Sequence, residues 1–383
     1  LAHWLFGEEH EALRRTVRSF VQKELVPHLE RWEESQEIPR SVFRRCGELG
    51  FFGLKFPEEY GGQGGDYLAS AVFKEEVARS GSVGLAGALG VHSGVALPPI
   101  FKFGTEEQKR RFLVPGIAGE KVGALAVTEP NAGSDVASLQ TTARRDGDSY
   151  VLNGSKIFIT NGVYADFALV AAKTDPAAGH RGISLFLVER GTPGFSVGRK
   201  LAKAGMLCSD TGYLIFEDCR VPAENLLGEE NRGFYLIMDG FQWERLMMAL
   251  VSVGVAEVAL EQTIGYVRSR TQFGQPVARF QAVAHRLVDM AAQLEMIRGL
   301  TYQALWLFVQ GKPCLKEVSM AKLAATEAAH RIAGEALQLH GGYGYMKEYP
   351  IERIWRDTRV GTIVAGTSEI MREIVAREME LYR

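Results

Sequence analysis

Residues 233–260 read GFYLIMDGFQWERLMMALVSVGVAEVAL, and their periodicity decides the fold class. Phe234, Leu236, Ile237, Met238 and Phe241 lead into an almost unbroken apolar run from Leu246 to Val255. At about 100° per residue, Glu244 shares a stripe with Ile237, Gly240, Phe241, Met247, Met248, Val251 and Val255. Asp239 and Glu257 point the other way and mark the solvent edge. Glu244, on the covered side, needs either a partner or a proton, because its charged form is poorly solvated there. On this helix alone, a structural carboxylate paired to an arginine of a neighbouring helix is the favoured reading.

Outward from that helix the pattern changes twice. From the start to about Gly119 the chain reads as helices, with an amphipathic face over His10 to Leu29 and another over Pro39 to Leu49. Leu54 to Gly65 is a loop, and Tyr67 to Ser80 and Val83 to Ile100 are further helices. Val83 to Phe101 carries no Asp, Glu, Lys or Arg, but its glycines, His92 and Pro98-Pro99 make it a buried core helix that the prolines end, with His92 a hydrogen-bonded core residue. Thr105-Glu-Glu-Gln108 is a capping box, and Pro115-Gly116 closes the helix it opens.

At about Lys121 the period shortens. Thr141 to Arg145, Tyr150 to Leu152, Lys156 to Thr160, Phe167 to Lys173, Ile183 to Glu189 and Tyr213 to Phe216 predict strands. Asp146-Gly147, Asn153-Gly154 and Asn161-Gly162 predict tight hairpin turns between them. From Asn231 four long helices return: Gly233 to Arg270, Gln281 to Gln310, Leu315 to His340 and Tyr349 to Glu380, an antiparallel bundle. The fold class is α+β, with an N-terminal helical domain over residues 1–120, a middle antiparallel β domain over 121–230 and a C-terminal four-helix bundle over 231–383.

The 383 residues are 46% hydrophobic and 23% charged, as in an ordinary globular protein. A net charge of −2 gives no reason to expect nucleic acid or an anionic membrane surface. Cys46, Cys208, Cys219 and Cys314 lie far apart without metal-ligand spacing, and read as reduced thiols of a cytosol-like compartment. Read from Leu1, the chain opens on no secretory leader. A cytoplasmic protein is expected, or a mitochondrial-matrix type that has lost a transit segment.

Several stretches carry possible chemistry. Leu125-Ala-Val-Thr-Glu-Pro-Asn-Ala-Gly-Ser-Asp135 has the small residues and hydroxyls of a backbone that approaches a ligand closely, or of a plain polar loop. Gln338-Leu-His-Gly-Gly-Tyr-Gly344 follows a helix, so it fails the context of a dinucleotide-binding turn and reads equally as a helix C-cap. Arg268 and Arg270 end a helix, where they serve either a phosphate or the helix dipole.

Taken together, Ala126 to Asp135, Phe158-Ile-Thr-Asn161, Arg270-Thr-Gln-Phe-Gly274, Gln338 to Gly344 and Ala365-Gly-Thr-Ser-Glu369 closely resemble, in order and spacing, the acyl-CoA dehydrogenases. The likeness covers nearly the whole chain, and its three-domain architecture is the one periodicity gives independently. It implies an FAD enzyme that oxidises an acyl-CoA to the trans-2-enoyl-CoA. By this resemblance Leu125, Ala126, Val127, Thr128, Gly133 and Ser134, with Phe158, Ile159 and Thr160, hold the flavin and its ribityl chain. Phe158 stands where many relatives carry tryptophan, without an indole N–H. Arg270, Gln272, Phe273, Gln281 and Gln338, Leu339, His340, Gly341 and Gly342 reach the FAD of a neighbouring subunit in a homotetramer. Thr367, Ser368 and Glu369 lie along the cofactor. Ser134, Tyr235, Gln242, Trp243, Arg245, Ala365 and Gly366 belong to the acyl-CoA channel. An electron-transfer flavoprotein is the implied acceptor.

The reaction needs a base for the α-proton, and many relatives carry it just before the Gly-Thr of the last motif. Here that position is Ala365, which accepts no proton. Isovaleryl- and long-chain-type relatives instead carry the base in a Glu-Arg pair on the first bundle helix, the place of Glu244-Arg245. The resemblance therefore makes Glu244 the expected general base. Two alternatives stand beside it: a flavin oxidase or monooxygenase of the same fold, and a scaffold that kept the fold without the chemistry. Acyl-chain length and branching are open.

Overall fold

A computed structural model describes residues 4–382. The N-terminal part contains α1 (Glu8–Phe20), α2 (Leu29–Ser35), α3 (Arg40–Glu48), α4 (Tyr67–Ala78), α5 (Val83–Gly90), α6 (Leu97–Phe103), α7 (Glu106–Gln108) and α8 (Val114–Ile117). The capping box forms as its sequence predicts. Thr105 Oγ1 accepts from the Gln108 N–H at 3.2 Å, and Gln108 Oε1 from the Thr105 N–H at 3.1 Å. His92 is fully buried; its Nε2 meets the Gly116 carbonyl at 2.9 Å and its Nδ1 accepts from the Gly123 N–H at 3.1 Å. Pro98 and Pro99 do not end the helix. They occupy the first turn of α6, where the missing N–H costs nothing, and a π-type segment at Val91–Ala96 joins α5 to it. Pro115-Gly116 likewise lies inside α8, and the chain leaves the helix only after Ile117.

The middle part contributes β1 (Gly123–Ala126), β2 (Thr142–Asp146), β3 (Ser149–Thr160), β4 (Phe167–Lys173), β5 (Ile183–Glu189), β6 (Phe195–Lys200), β7 (Thr211–Pro222) and β8 (Leu226–Leu227). The sheet order is β6-β7-β3-β2-β4-β5-β8, with β1 also on β4. Two expectations fail here. The sheet is not wholly antiparallel, since β1 and β2 both run parallel to β4. Asn153-Gly154 and Asn161-Gly162 are not hairpin turns either. The first is a bulge inside β3, opposite β7, so two predicted strands are one. The second ends β3, whose partners are β2 and β7 and not β4. Asn-Gly supplies positive φ for bulges as readily as for turns, and only pairing decides between them.

The bundle is α9 (Gly233–Ser269), α10 (Gln281–Val309), α11 (Leu315–His340), α12 (Pro350–Thr358) and α13 (Ser368–Glu378). The fourth predicted helix is therefore two, broken between Arg359 and Thr367. The break holds Ala365 and Gly366 at φ 54° and 90°, a left-handed pair that no α-helix accommodates.

The parts share cores, so they pack as one body. One cluster joins Val17, Phe73 and Leu85 to Leu250 and Val318, binding α1, α4 and α5 onto α9 and α11. Contact between α4 and α9 is close because Gly254 lacks a side chain; a Cβ there would lie 2.7 Å from the Glu75 carbonyl oxygen. A second cluster seats Leu97 and Phe112 against Leu169, Leu185 and Ile237. Both long apolar helical stretches, Val83–Phe103 and Gly233–Ser269, are mostly buried in these cores, as the sequence predicts for the first. All four cysteines are buried and unbridged.

Candidate active site

Where the three parts meet, a cavity of about 480 Å³ opens beside the first half of α9. Leu236, Ile237 and Gly240 to Glu244 form one wall, and residues 94–103 form the opposite one. Leu125 of β1, Leu185 of β5, Lys55, Phe56, Tyr67 and Phe308 close it. The lining is mainly apolar and aromatic, as suits a hydrocarbon chain.

Glu244 stands on this wall without a partner. Its Oε2 is closed off from solvent and makes no hydrogen bond, and among the described residues the only nearby charges acting on it, those of Arg245 and Lys322, do so without bonding it. Burial pushes its pKa up to about 7, against the pull of the Arg245 and Lys322 charges. The structural reading of Glu244, paired to an arginine of a neighbouring helix, therefore fails. Arg245 is its neighbour in sequence, buried, with an Nε that is itself unpartnered.

The break before α13 comes to the same place. Lys322 of α11, fully buried, donates from Nζ to the Gly366 carbonyl at 2.5 Å. Gly366 takes φ 90°, a conformation that favours glycine, and a Cβ there would lie 3.9 Å from Arg245 Nε, so the turn lies next to Arg245. Thr367 caps α13 by accepting from the Ile370 N–H at 3.3 Å. Ala365 thus presents a methyl and a backbone N–H in a turn anchored from α11.

The two stretches expected at the flavin are tied together. Ile157 N–H donates to the Thr128 carbonyl at 2.9 Å. Beneath them Lys156, fully buried, reaches Glu129 Oε1 at 2.7 Å and the Val127 carbonyl at 3.1 Å. Glu129 also accepts from the backbone N–H of Gln140 and of Thr141. Above that ion pair Phe158 sits on a second bulge of β3 at φ 61°, with 66% of its surface exposed. Gly133 and Ser134 are exposed, and Thr128 and Thr160 are partly so.

Of the residues expected in the acyl channel, Gln242 and Trp243 line the cavity with Glu244, and Leu125 joins them from the flavin stretch. Tyr235 does not. It is exposed, packs edge-on to His180 and lies under Arg232. Ser134, Arg245, Ala365 and Gly366 also lie outside the cavity lining. The residues assigned to a neighbouring subunit's cofactor form a separate group at the α9–α10 connection and the end of α11. Arg270, Gln272, Phe273, Gln281, Gln338, Gly341 and Gly342 are exposed, and Phe273 is 94% so. His340 differs: its ring is buried, stacked on Tyr266 at 4.3 Å, and its Nδ1 meets the Ala336 carbonyl at 2.8 Å.

Three family models match in the order of the structural parts. They are the N-terminal domain of acyl-CoA dehydrogenase over residues 7–120, the middle domain over 124–219 and the C-terminal domain over 231–380. The chain belongs to the acyl-CoA dehydrogenase family. An acyl-CoA dehydrogenase of Bacillus subtilis is 44% identical over 97% of this chain and 97% of its own length. The mouse mitochondrial long-chain specific acyl-CoA dehydrogenase is 44% identical over 98% of this chain and 87% of its own. A crystal structure of an acyl-CoA dehydrogenase from Geobacillus kaustophilus superposes with a TM-score of 0.96 at 46% identity, covering 99% of this chain and 100% of that one.

Acyl-CoA dehydrogenases are FAD flavoproteins, and the residues present fit that group. A half-uncovered aromatic on a bulge, two part-exposed threonines and an open Gly133-Ser134 turn offer the stacking face and donors a flavin needs. Sequence reasoning missed three lysines at this site: Lys55 in the cavity wall, Lys156 bound to Val127 and Glu129, and Lys322 at the Gly366 turn. Each is a lone lysine in its sequence neighbourhood, and whether such a lysine finds a partner shows only in three dimensions.

Proposed function

We propose that this acyl-CoA dehydrogenase converts an acyl-CoA thioester to the trans-2-enoyl-CoA, with Glu244 as the base that takes the α-proton. The observation that carries the assignment is a carboxylate with an unpartnered, solvent-free Oε2 on the wall of an apolar cavity. Burial brings its pKa to about 7, so it accepts a proton near neutrality, as a base for this chemistry must. Bound FAD supplies the acceptor for the β-hydride. The chain itself supplies the rest. The apolar cavity orients the acyl group and excludes water, and the Lys322-anchored turn presents the Ala365 N–H as a donor to the thioester carbonyl. That hydrogen bond acidifies the α-carbon. Phe158 and the Thr128 and Thr160 hydroxyls hold the cofactor, and Thr367 to Glu369 run along it.

The same reading takes the exposed group around Arg270 and Phe273 as the contact with a neighbouring subunit in a homotetramer, with an electron-transfer flavoprotein as acceptor. Large apolar side chains left open on α10, Val288 at 65% and Met296 at 66%, support burial of that face. Anaerobic titration with straight and branched acyl-CoAs tests the function. Bleaching of the flavin with slow reoxidation in air is expected. Rapid peroxide release would replace the reading with an oxidase, and a colourless protein that binds no FAD would replace it with a scaffold.

A further inference from the structure

The acyl cavity contains a second unpartnered ionisable group, an amine, away from the base. Lys55 Nζ is closed off from solvent and has no hydrogen-bond partner. It sits among three rings, 4.9 Å from the centroid of Tyr67, 5.1 Å from that of Trp243 and 5.6 Å from that of Phe56. Trp243 Nε1–H in the same wall is also buried and unpartnered. Lys102 and Asp239, at the cavity's edge, satisfy each other at 2.7 Å and offer nothing to Lys55. Nor is Glu244 its counter-ion. Both Lys55 Nζ and Glu244 Oε2 are without a hydrogen-bond partner, and burial with the nearby Lys74 charge pushes the Lys55 pKa well down.

An ordinary hydrocarbon pocket has no use for two orphan donors, because each unsatisfied polar group weakens the fold that contains it. Contact with the three rings holds the amine in place, but it gives the N–H groups no acceptor. The flexible stem of Lys55 lets Nζ turn from the rings toward an oxygen atom in the cavity. We propose that Lys55 and Trp243 form an acceptor subsite, and that the acyl groups this cavity selects carry an oxygen, as a carboxylate or a hydroxyl, at the far end of the chain. This rests on the acyl-CoA reading of the cavity and goes further by naming the substrate class.

The test compares hexanoyl-, octanoyl- and decanoyl-CoA with their ω-hydroxy and ω-carboxy counterparts, by the rate of anaerobic flavin bleaching in the FAD-loaded enzyme. The wild type is expected to favour an oxygenated ester over its plain partner at one chain length. Lys55→Met, similar in length but without a donor, is expected to shift that ratio toward the plain ester by about tenfold or more. Lys55→Gln, which keeps a neutral donor, should retain the preference for hydroxyl better than that for carboxylate. A wild type that favours the plain ester at all three lengths overturns the subsite, whatever the variants do. So does an unchanged ratio in Lys55→Met. If none of the nine esters bleaches the flavin, the subsite is overturned, and titration with longer and branched acyl-CoAs then decides separately whether the dehydrogenase reading stands. If plain esters bleach it and the ratios stay put, the subsite alone falls.

Discussion

Glu129 and Glu244 are carboxylates withdrawn from water within one protein, and they are in opposite states. Glu129 receives Lys156 at 2.7 Å and two backbone N–H groups. Its burial favours the neutral acid, but Lys156 and those hydrogen bonds outweigh it and hold the group below the ordinary carboxylate range. Glu244 receives nothing on Oε2, and burial prevails over Arg245 and Lys322. Partner count, not burial, separates the two. A satisfied carboxylate stays ionised and fastens the Val127–Glu129 stretch to β3. An unsatisfied one is free to exchange a proton near pH 7.

Substitutions at these two positions should therefore fail in different ways. Glu244→Gln is expected to keep FAD and acyl-CoA binding while flavin reduction slows on the order of a thousandfold, within the range for loss of a general base. Stopped-flow absorbance measures it, and near-wild-type rates would remove the distinction. Glu129→Gln should instead cost about 3 kcal/mol of stability, because it strands the Lys156 ammonium in the interior. Chemical denaturation reads that loss, and a variant as stable as the wild type would mean the ion pair is dispensable.

Moving the base sharpens the comparison further. Glu244→Gly combined with Ala365→Glu should recover roughly tenfold of the activity lost by Glu244→Gly alone, part of a general base's contribution. Residue 365 already has a left-handed φ of 54° as alanine, so glutamate adds little backbone strain there. A soluble, FAD-loaded double variant as slow as the single one would show that the turn cannot aim a carboxylate at the α-carbon. The smallest effect concerns pH. With Glu244 as the proposed base, the rate should rise with pH through about 7. Lys322 opposes the upward shift, and Lys322→Met should move this limb to higher pH, whereas Lys322→Arg should not. An unmoved profile in Lys322→Met would leave Lys322 only its bond to Gly366.

Much of the site was legible before any coordinates. The α9 stripe placed Glu244 on a covered face, and Ala365 removed the competing position. Where the reading failed, the deciding interaction lay between distant residues. Asn153-Gly154 has the chemistry of a turn, yet β7 pairs along both sides of it and makes it a bulge. The fourth bundle helix looked continuous until Ala365 and Gly366 proved left-handed. Tyr235, on the same helix as Glu244, turns out toward His180 and not into the cavity.

Periodicity and residue chemistry determined by themselves that helices flank a β module, that α9 is buried and that a carboxylate lies on its inner face. These follow from the local repeat of apolar side chains, which is the same whatever the rest of the chain does. The tertiary structure alone decided which buried charges are satisfied. Lys156 finds Glu129 across 27 residues, and Lys322 finds the Gly366 carbonyl across 44. Glu244 and Lys55 find no partner at all. Pairing depends on which groups the packed core brings within about 3 Å, and no spacing along the chain encodes that distance.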